Sequence, residues 1–463
     1  MSCAVHAAPR HGRLARAGNW LRDHATLIRR LQWLVVVVYA VLLLVPAFLP
    51  LPDETAHVWN NLTVVAQFAF WGIWWPFVLL SMLLFGRLWC GVLCPEGALA
   101  EWAARHGRGR PIPRWMRWGG WPFVAFVCTT VYGQMVSVYQ YPKAALLVLG
   151  GSTVAAVGIG YWYTRGKRAW CRYLCPVNGV FALLAKLAPV HFRVDGDAWQ
   201  QASAGRRTIA IKAVDCAPLL PISQMQGASG CHMCGRCSDH RQAVTLSLRS
   251  PSDEVVRLAA HEADGWQTLL IVFGLMGIAI GAFHWSASPW FITLKQTLAE
   301  WLVEHDSFAL LETNAPWWLF THYPEANDVF SWLDGSLLVA YILITGLVLG
   351  TVSSLLLMLA VRLAGAFQWQ RVHHLAQALI PLAACGVFLG LTAVTLTLLR
   401  GEGVQWWWIN DLRLALLLAA NLWSLWLARG IVRQWQRGLP ALLPFLLLLA
   451  WVDSAWGWLF WWW

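Results

Sequence analysis

The stretch LTVVAQFAFWGIWWPFVLLSMLLFGRLWCGVLCPEG, residues 62–97, decides how the rest of the chain is read. Residues 62–85 carry no charged side chain. At about 1.5 Å per helical residue they are long enough to cross a hydrocarbon core of about 30 Å. The run then breaks into Gly86-Arg87-Leu88-Trp89-Cys90-Gly91-Val92-Leu93-Cys94-Pro95-Glu96-Gly97. On a helical turn residues i and i+4 share a face, so Cys90 and Cys94 present two thiols in one direction. The proline that follows limits continuation of that helix.

The same pattern returns as Arg168-Ala-Trp170-Cys171-Arg-Tyr-Leu-Cys175-Pro176, again behind an apolar run, at about 144–162. Two copies with matching flanks supply four thiolates, the full complement for one iron–sulfur cluster. Inert buried cysteines have no need of a repeated spacing. A third group, Cys231-His-Met-Cys234-Gly-Arg-Cys237, carries three cysteines in a turn-prone loop. A ferredoxin run would place its fourth cysteine four residues on, where Arg241 stands. Cys216, upstream, is the candidate fourth ligand, with Asp239 and His240 as alternatives. Zinc favours two separated pairs over a tight triple. Eight of the eleven cysteines thus fall into two sets, Cys90, Cys94, Cys171, Cys175 and Cys216, Cys231, Cys234, Cys237; Cys3, Cys128 and Cys385 are left as structural.

Composition sets these groups beside a bilayer. The chain has 463 residues, is 58% hydrophobic and 12% charged, where a soluble domain has about 25% charged residues; its mean hydropathy is +0.52. The net charge of +11 is not a nucleic-acid footprint, because 30 of the 34 Lys and Arg fall in 1–30, 86–118, 164–266, 362–374 and 429–438. Such alternation is the positive-inside rule and makes those segments cytoplasmic. All eight candidate ligands then face a reducing compartment, where disulfides are rare.

The expected fold is an all-α polytopic membrane protein of about nine transmembrane helices with a small cytoplasmic ferredoxin-like iron–sulfur segment. Helices are expected near 31–50, 62–85, 119–138, 144–162, 267–286, 335–361, 375–399, 409–428 and 439–463. The divisions are a basic cytoplasmic N-terminus (1–30), a four-helix membrane region with both CxxxCP motifs (31–176), a cytoplasmic iron–sulfur segment (177–266) and a five-helix C-terminal region (267–463). The Arg29-Arg30 pair and the run behind it resemble a signal peptide, but no small-residue cleavage site follows, so an uncleaved first helix is expected. An outer loop, 287–334, has seven Asp and Glu against one Lys and an amphipathic stretch near 290–312. This places the chain as multi-pass in a bacterial inner membrane, N-terminus inside and C-terminus outside.

His284, His322, His373 and His374 give no pair at one depth on facing helices, so haem is not expected; His373 and His374 are candidates for a quinone headgroup. Asp453, well inside the last helix, is expected to pair with Arg413 on the preceding one, since an unpaired intramembrane charge costs at least about 2.5 kcal/mol. Trp89 and Trp170 are expected to shield the first cysteine set.

Gly86-Arg87-x-Trp89-Cys90-Gly91-x-x-Cys94-Pro95-x-Gly97, its second copy at Cys171 and Cys175, and the cysteine cluster that follows resemble the NapH/NosR/FixG (CcoG) group over about residues 60–250. The resemblance implies a polyferredoxin-like membrane protein with cytoplasmic 4Fe–4S sites. Members are implicated in quinol oxidation for periplasmic reductases, nitrous-oxide respiration, and copper reduction for oxidase assembly. This chain departs from the group in having one incomplete ferredoxin motif and about 200 further residues of membrane helices. The expected function is electron transfer through two 4Fe–4S clusters, from quinol or a cytoplasmic donor to a redox partner protein of a respiratory or metal-reducing system, with the chain serving as a quinol dehydrogenase or metal reductase subunit. Alternatives are a redox sensor or assembly factor, and a structural zinc protein.

Overall fold

The computed structural model describes residues 12–53, 55–204, 214 and 216–463. Cys3 lies outside the described residues. Long apolar runs become long helices. Among the described residues, eight are long and apolar enough to cross a membrane: Ala25–Ala47, Leu62–Phe85, Pro142–Trp162, Gly265–His284, Trp332–Leu363, Trp369–Gly401, Ile409–Val432 and Leu439–Trp462. Large apolar side chains such as Leu34, Phe77, Leu347, Leu422 and Leu443 stand exposed along them, the arrangement lipid requires and water penalises. The protein is an all-α polytopic membrane protein.

The helix expected at 119–138 is shorter, Trp121–Met135, 15 residues, or about 22 Å. Its end is set by Ser137, whose φ of 50° lies in the left-handed region, and by a turn that closes Val138 N–H onto the Gly133 carbonyl. Pro142 then opens the next helix at a position where its missing N–H costs nothing.

The chain divides into two compact units. One comprises residues 1–39, 78–121 and 152–258, the other 40–77, 122–151 and 259–463. The first holds both cysteine motifs and the cysteine loop. It also holds a two-stranded antiparallel ribbon, β1 (Val190–Val194) with β2 (Val244–Leu248), in which Phe192 faces Leu246. Phe192, Met233, Val244 and Leu246 form a buried core with Cys231. The helix Arg13–Asp23 packs on this core. A methyl group at Gly18 would lie 2.9 Å from Ser238 Oγ and 3.0 Å from Leu246 Cβ, so this helix is part of the cysteine-loop structure.

In the second unit Gly265–His284 and Trp332–Leu363 approach closely. A Cβ at Gly277 would lie 2.8 Å from the Gly346 carbonyl, the small-residue contact that lets membrane helices pack backbone to backbone. The expected amphipathic stretch is the helix Pro289–Glu304, with Trp290, Ile292, Leu294, Trp301 and Val303 exposed.

Asp453 does not pair with Arg413. It shares a hydrogen bond with Asn421. Arg413 donates to Asn410 Oδ1 at 3.1 Å and lies 4.3 Å from the centre of the Phe460 ring. Arg413 and Asn421 are eight residues apart on one helix, about 12 Å along its axis. Each charged group found a nearer polar or aromatic partner at its own depth.

Candidate iron–sulfur centre

The two motifs repeat in backbone as well as in sequence. Leu88–Val92 and Ala169–Tyr173 are single helical turns, opened by Arg87 and Arg168. In both, the tryptophan carbonyl accepts twice: from Leu93 and Cys94 N–H at 2.9 Å each in the first, and from Leu174 and Cys175 N–H at 2.9 and 3.0 Å in the second. The cysteines of each pair therefore do not sit on one continuous helix, as the i,i+4 spacing suggested. The turn stops two residues before the second cysteine. Pro95 excludes the helical region for the residue before it, and Cys94 adopts an extended φ of −66° and ψ of 118°. Cys94 then caps the next helix, Pro95–His106, its Sγ accepting from Gly97 N–H at 3.4 Å.

The thiols of Cys90, Cys94, Cys171 and Cys175 interact electrostatically with one another. Those of Cys216, Cys231, Cys234 and Cys237 do the same. The structure thus brings the thiols of each group within electrostatic range of one another, Cys216 among those of the loop. Cys216 is tied to the second motif: Lys167 Nζ donates to its carbonyl at 3.1 Å, and Arg168 N–H donates to the Ala217 carbonyl at 2.8 Å. The alternatives are engaged elsewhere. Asp239 takes a 3.4 Å hydrogen bond from Arg22 Nη1, and the His240 ring lies 5.5 Å from that of Trp199.

Burial pushes the Cys94, Cys175 and Cys237 thiols up, followed by the neighbouring thiols at Cys94 and Cys237 and by Glu96 at Cys175. Burial likewise raises Cys171 and Cys231 to about 12. Such thiols do not ionise unaided, but a bound metal supplies the positive charge that thiolates need. Among the described residues no three His, Cys, Asp or Glu donors converge on a point that one metal ion could occupy. A single zinc needs ligands converging to about 2.3 Å, whereas a multi-iron cluster takes one thiolate at each separated corner.

Buried donors without partners lie close to the cysteines. Arg168 is 1% exposed. It donates through Nε to Glu101 Oε2 at 2.9 Å and through Nη1 to the Cys90 carbonyl, while Nη2 is buried without a partner. Arg87, 3% exposed, donates to Asn178 Oδ1 at 2.7 Å and to the Ser229 carbonyl at 3.1 Å, with Nε unpartnered. His232 is buried with neither ring nitrogen hydrogen-bonded; burial, then Arg87, Arg168 and Arg172, push its basicity well down. Buried donors without acceptors are costly, and the sulfides of clusters held by these thiols are acceptors. The donor set fits two such clusters.

Three residues that the sequence reading passed over hold the loop in place. Glu101 is 4% exposed and takes hydrogen bonds from Arg168, from Arg236 at 2.7 and 2.9 Å, and from Arg105. Burial alone would raise its carboxyl, but the arginines outweigh burial and hold it at about 2. Glu254, 0% exposed, accepts from Ala228 N–H at 2.7 Å, Ser229 N–H at 3.3 Å and Arg249. Gly91 is the third: a Cβ there would lie 1.9 Å from the His232 carbonyl oxygen. Its own carbonyl accepts from Gln32 Nε2 at 2.8 Å. The equivalent position in the second motif is Arg172, so this is where the repeat departs from symmetry. Only the i,i+4 spacing of Glu101 and Arg105 offered a sequence signal. Trp170 packs against Cys171 and Cys175 and donates to Glu96 at 3.1 Å. His373 Nδ1 is 3.0 Å from Thr268 Oγ1.

Residues 67–113 and 147–194 each match the family described as the 4Fe-4S binding domain. The matches contain the two CxxxCP motifs and exclude Cys216 and the Cys231–Cys237 loop. The chain is 23% identical over 233 residues to the Escherichia coli (strain K12) protein named "Putative electron transport protein YccM", covering 44% of this chain and 62% of that protein. It is 26% identical over 133 residues to "Regulatory protein NosR" of Pseudomonas aeruginosa, covering 25% of this chain and 19% of that protein. The chain therefore spans less than two thirds of either relative. No solved structure matches it.

Proposed function

We propose that the chain is an electron-transfer protein of a bacterial inner membrane that holds two 4Fe–4S clusters at the cytoplasmic face. Cys90, Cys94, Cys171 and Cys175 hold one; Cys216, Cys231, Cys234 and Cys237 hold the other. The observation that carries this reading is the sorting of eight thiols into two electrostatically coupled sets of four, with unpartnered buried donors on Arg87, Arg168 and His232 beside them. When bound, each cluster takes up and releases one electron. The chain's own residues exclude water from the site, fix the thiols, and supply N–H groups to sulfur, such as Gly97 to Cys94 and Met233 to Cys231 at 3.4 Å each. Both kinds of contact set redox potential.

The cytoplasmic placement rests on the basic connections. Both motifs follow long spans, Leu62–Phe85 and Pro142–Trp162, and join one site. The chain between them must recross the bilayer, which assigns that crossing to Trp121–Met135 and gives nine passes, with the N-terminus inside and the C-terminus outside. The divisions at 1–30, 31–176, 177–266 and 267–463 are retained as the working organisation. Electrons enter from quinol in the bilayer or from a cytoplasmic donor and leave to a respiratory or metal-reducing partner protein; His373 and His374 remain the candidates for a quinone contact.

Anaerobic purification with iron and acid-labile sulfide analysis is expected to give about eight iron atoms per chain. Cys234→Ser is expected to remove about half of them and spare one reduced-cluster EPR signal. Full iron retention in that variant would remove the loop from the cofactor sites. The name of the NosR relative supports a second reading, a redox sensor or assembly factor. Turnover with a quinol analogue separates the two, since a sensor is reduced without sustained electron flow.

A further inference from the structure

Arg87 and Arg168 occupy equivalent places in the repeat: each opens its one-turn helix, each is fully buried, and each keeps one donor free. Both reach across the repeat. Arg87 interacts electrostatically with Cys171 of the opposite motif and with Cys231 of the loop. Arg168 interacts with Cys171 and Cys94, and with Cys234 of the loop. Each guanidinium therefore lies within the field of both cysteine sets. Gly91, packed onto the His232 backbone, keeps the two sets close enough for one charge to act on both.

The two arginines differ in their partners. Arg168 is ion-paired to Glu101 at 2.9 Å, with both side chains buried, and Arg236 and Arg105 bond the same carboxylate. Arg87 bonds only neutral groups, Asn178 and the Ser229 carbonyl, and has no carboxylate partner among the described residues.

We propose that Arg87 and Arg168 are positioning residues that raise the reduction potentials of both clusters. The inference rests on the two-cluster reading. Reduction adds one negative charge to a cluster, and a nearby cation in a poorly screened interior stabilises that charge. Glu101 is the third member of the device: its buried negative charge, bonded to Arg168, opposes the addition of an electron and holds the potentials down.

The test is an EPR-monitored redox titration of the anaerobically purified protein, with iron and sulfide measured on the same samples. Arg87→Gln is expected to lower both midpoint potentials at full iron content. Arg168→Gln is expected to lower them as well, and Glu101→Gln to raise them. Arg87→Lys, which keeps the charge, is expected to restore most of the Arg87→Gln shift. Unmoved potentials in an iron-replete Arg87→Gln or Arg168→Gln would overturn the proposal. If Arg87→Gln fails to retain its clusters, Glu101→Gln decides in the opposite direction: a rise supports the proposal and no change sinks it. Should both lose iron, Arg87→Lys decides, because a large fall despite the retained charge refutes an electrostatic role. Absence of iron and sulfide from the wild-type protein would instead refute the two-cluster reading, which keeps the two failures distinct.

Discussion

Cys90, Cys94, Cys171 and Cys175 are positioned by backbone that each motif carries with it. The tryptophan carbonyl that accepts twice and the proline behind the second cysteine both lie within a few residues of the thiols. Cys216, Cys231, Cys234 and Cys237 are positioned from far away. Arg236 reaches Glu101 across 135 residues, Ala228 reaches Glu254 across 26, and Ser238 reaches Asn19 across 219. The matched 4Fe-4S domain segments enclose the first set and stop short of the second. Locally specified geometry survives as a recognisable pattern, whereas geometry specified by distant side chains leaves no contiguous signature.

The comparison breaks most readily at Glu254. Removing this buried carboxylate strands Arg249 and two backbone N–H groups, and breaking a buried pair of this kind costs about 3–5 kcal/mol. Glu254→Ala is expected to lose the second cluster's EPR signal and half the iron while keeping the first signal. Equal loss of both signals would mean that the two sets stand or fall together and that the contrast in their construction is irrelevant.

Gly91→Ala comes next, and it crosses the boundary. The substitution lies in the first motif, but the added methyl collides with the His232 carbonyl of the loop. Since backbone cannot yield as a flexible side chain does, the strain falls on the Cys231–Cys234 segment. Diminished iron at the second set with the first retained is the expected result. A selective loss of the first signal would show that the strain is taken up by the motif instead.

Much of this molecule was readable beforehand. Spans such as 62–85 and 409–432 were placed to within a few residues because a bilayer demands about 20 consecutive apolar residues, a signal that needs no tertiary knowledge. The CxxxCP pairs and the Cys231–Cys237 loop stood out because their cysteines recur at fixed spacings. The loop's anchors were not, because Glu101 and Glu254 look like ordinary surface carboxylates until folding buries them. Trp121–Met135 was drawn too long because apolarity continues past Ser137, where the backbone turns. The Asp453–Arg413 pairing failed because matching by depth ignores the uncharged Asn421, which lay closer.

The acid stability of the Glu101 anchor should produce a smaller effect. Its carboxyl is held at about 2 in the folded chain against about 4.3 when unfolded. A lowered folded value contributes stability that is fully present above the unfolded value and lost as pH falls towards the folded one, here on the order of 3 kcal/mol. The Tm gap between wild type and Glu101→Gln should therefore stay flat from about pH 7 to about pH 5 and narrow only below about pH 4.5. A gap that already narrows near neutral pH would assign the anchor to another titrating group.

The smallest expected effect distinguishes anchors from ornament. Arg22 reaches the Ser238 carbonyl at 3.0 Å and Asp239 at 3.4 Å, so the helix Arg13–Asp23 offers the loop a further charged contact. The side chains of Arg22 and Asp239 are 36% and 50% exposed, however, and Arg22 also pairs with Asp23 at 2.9 Å. Exposed pairs contribute about 0–1 kcal/mol because water and salt screen them. The packing of Gly18 against Ser238 and Leu246 excludes water and fixes the helix on the loop without help from charge. Arg22→Ala should therefore leave iron content and both EPR signals unchanged and lower Tm by a degree or two at most. Gly18→Val, which forces branched bulk into that contact, should loosen the second set and leave the first intact. A loss of iron in Arg22→Ala equal to that in Gly18→Val would show that charge, not packing, seats the helix, and the second set would then depend on ion pairs at its surface as well as in its core.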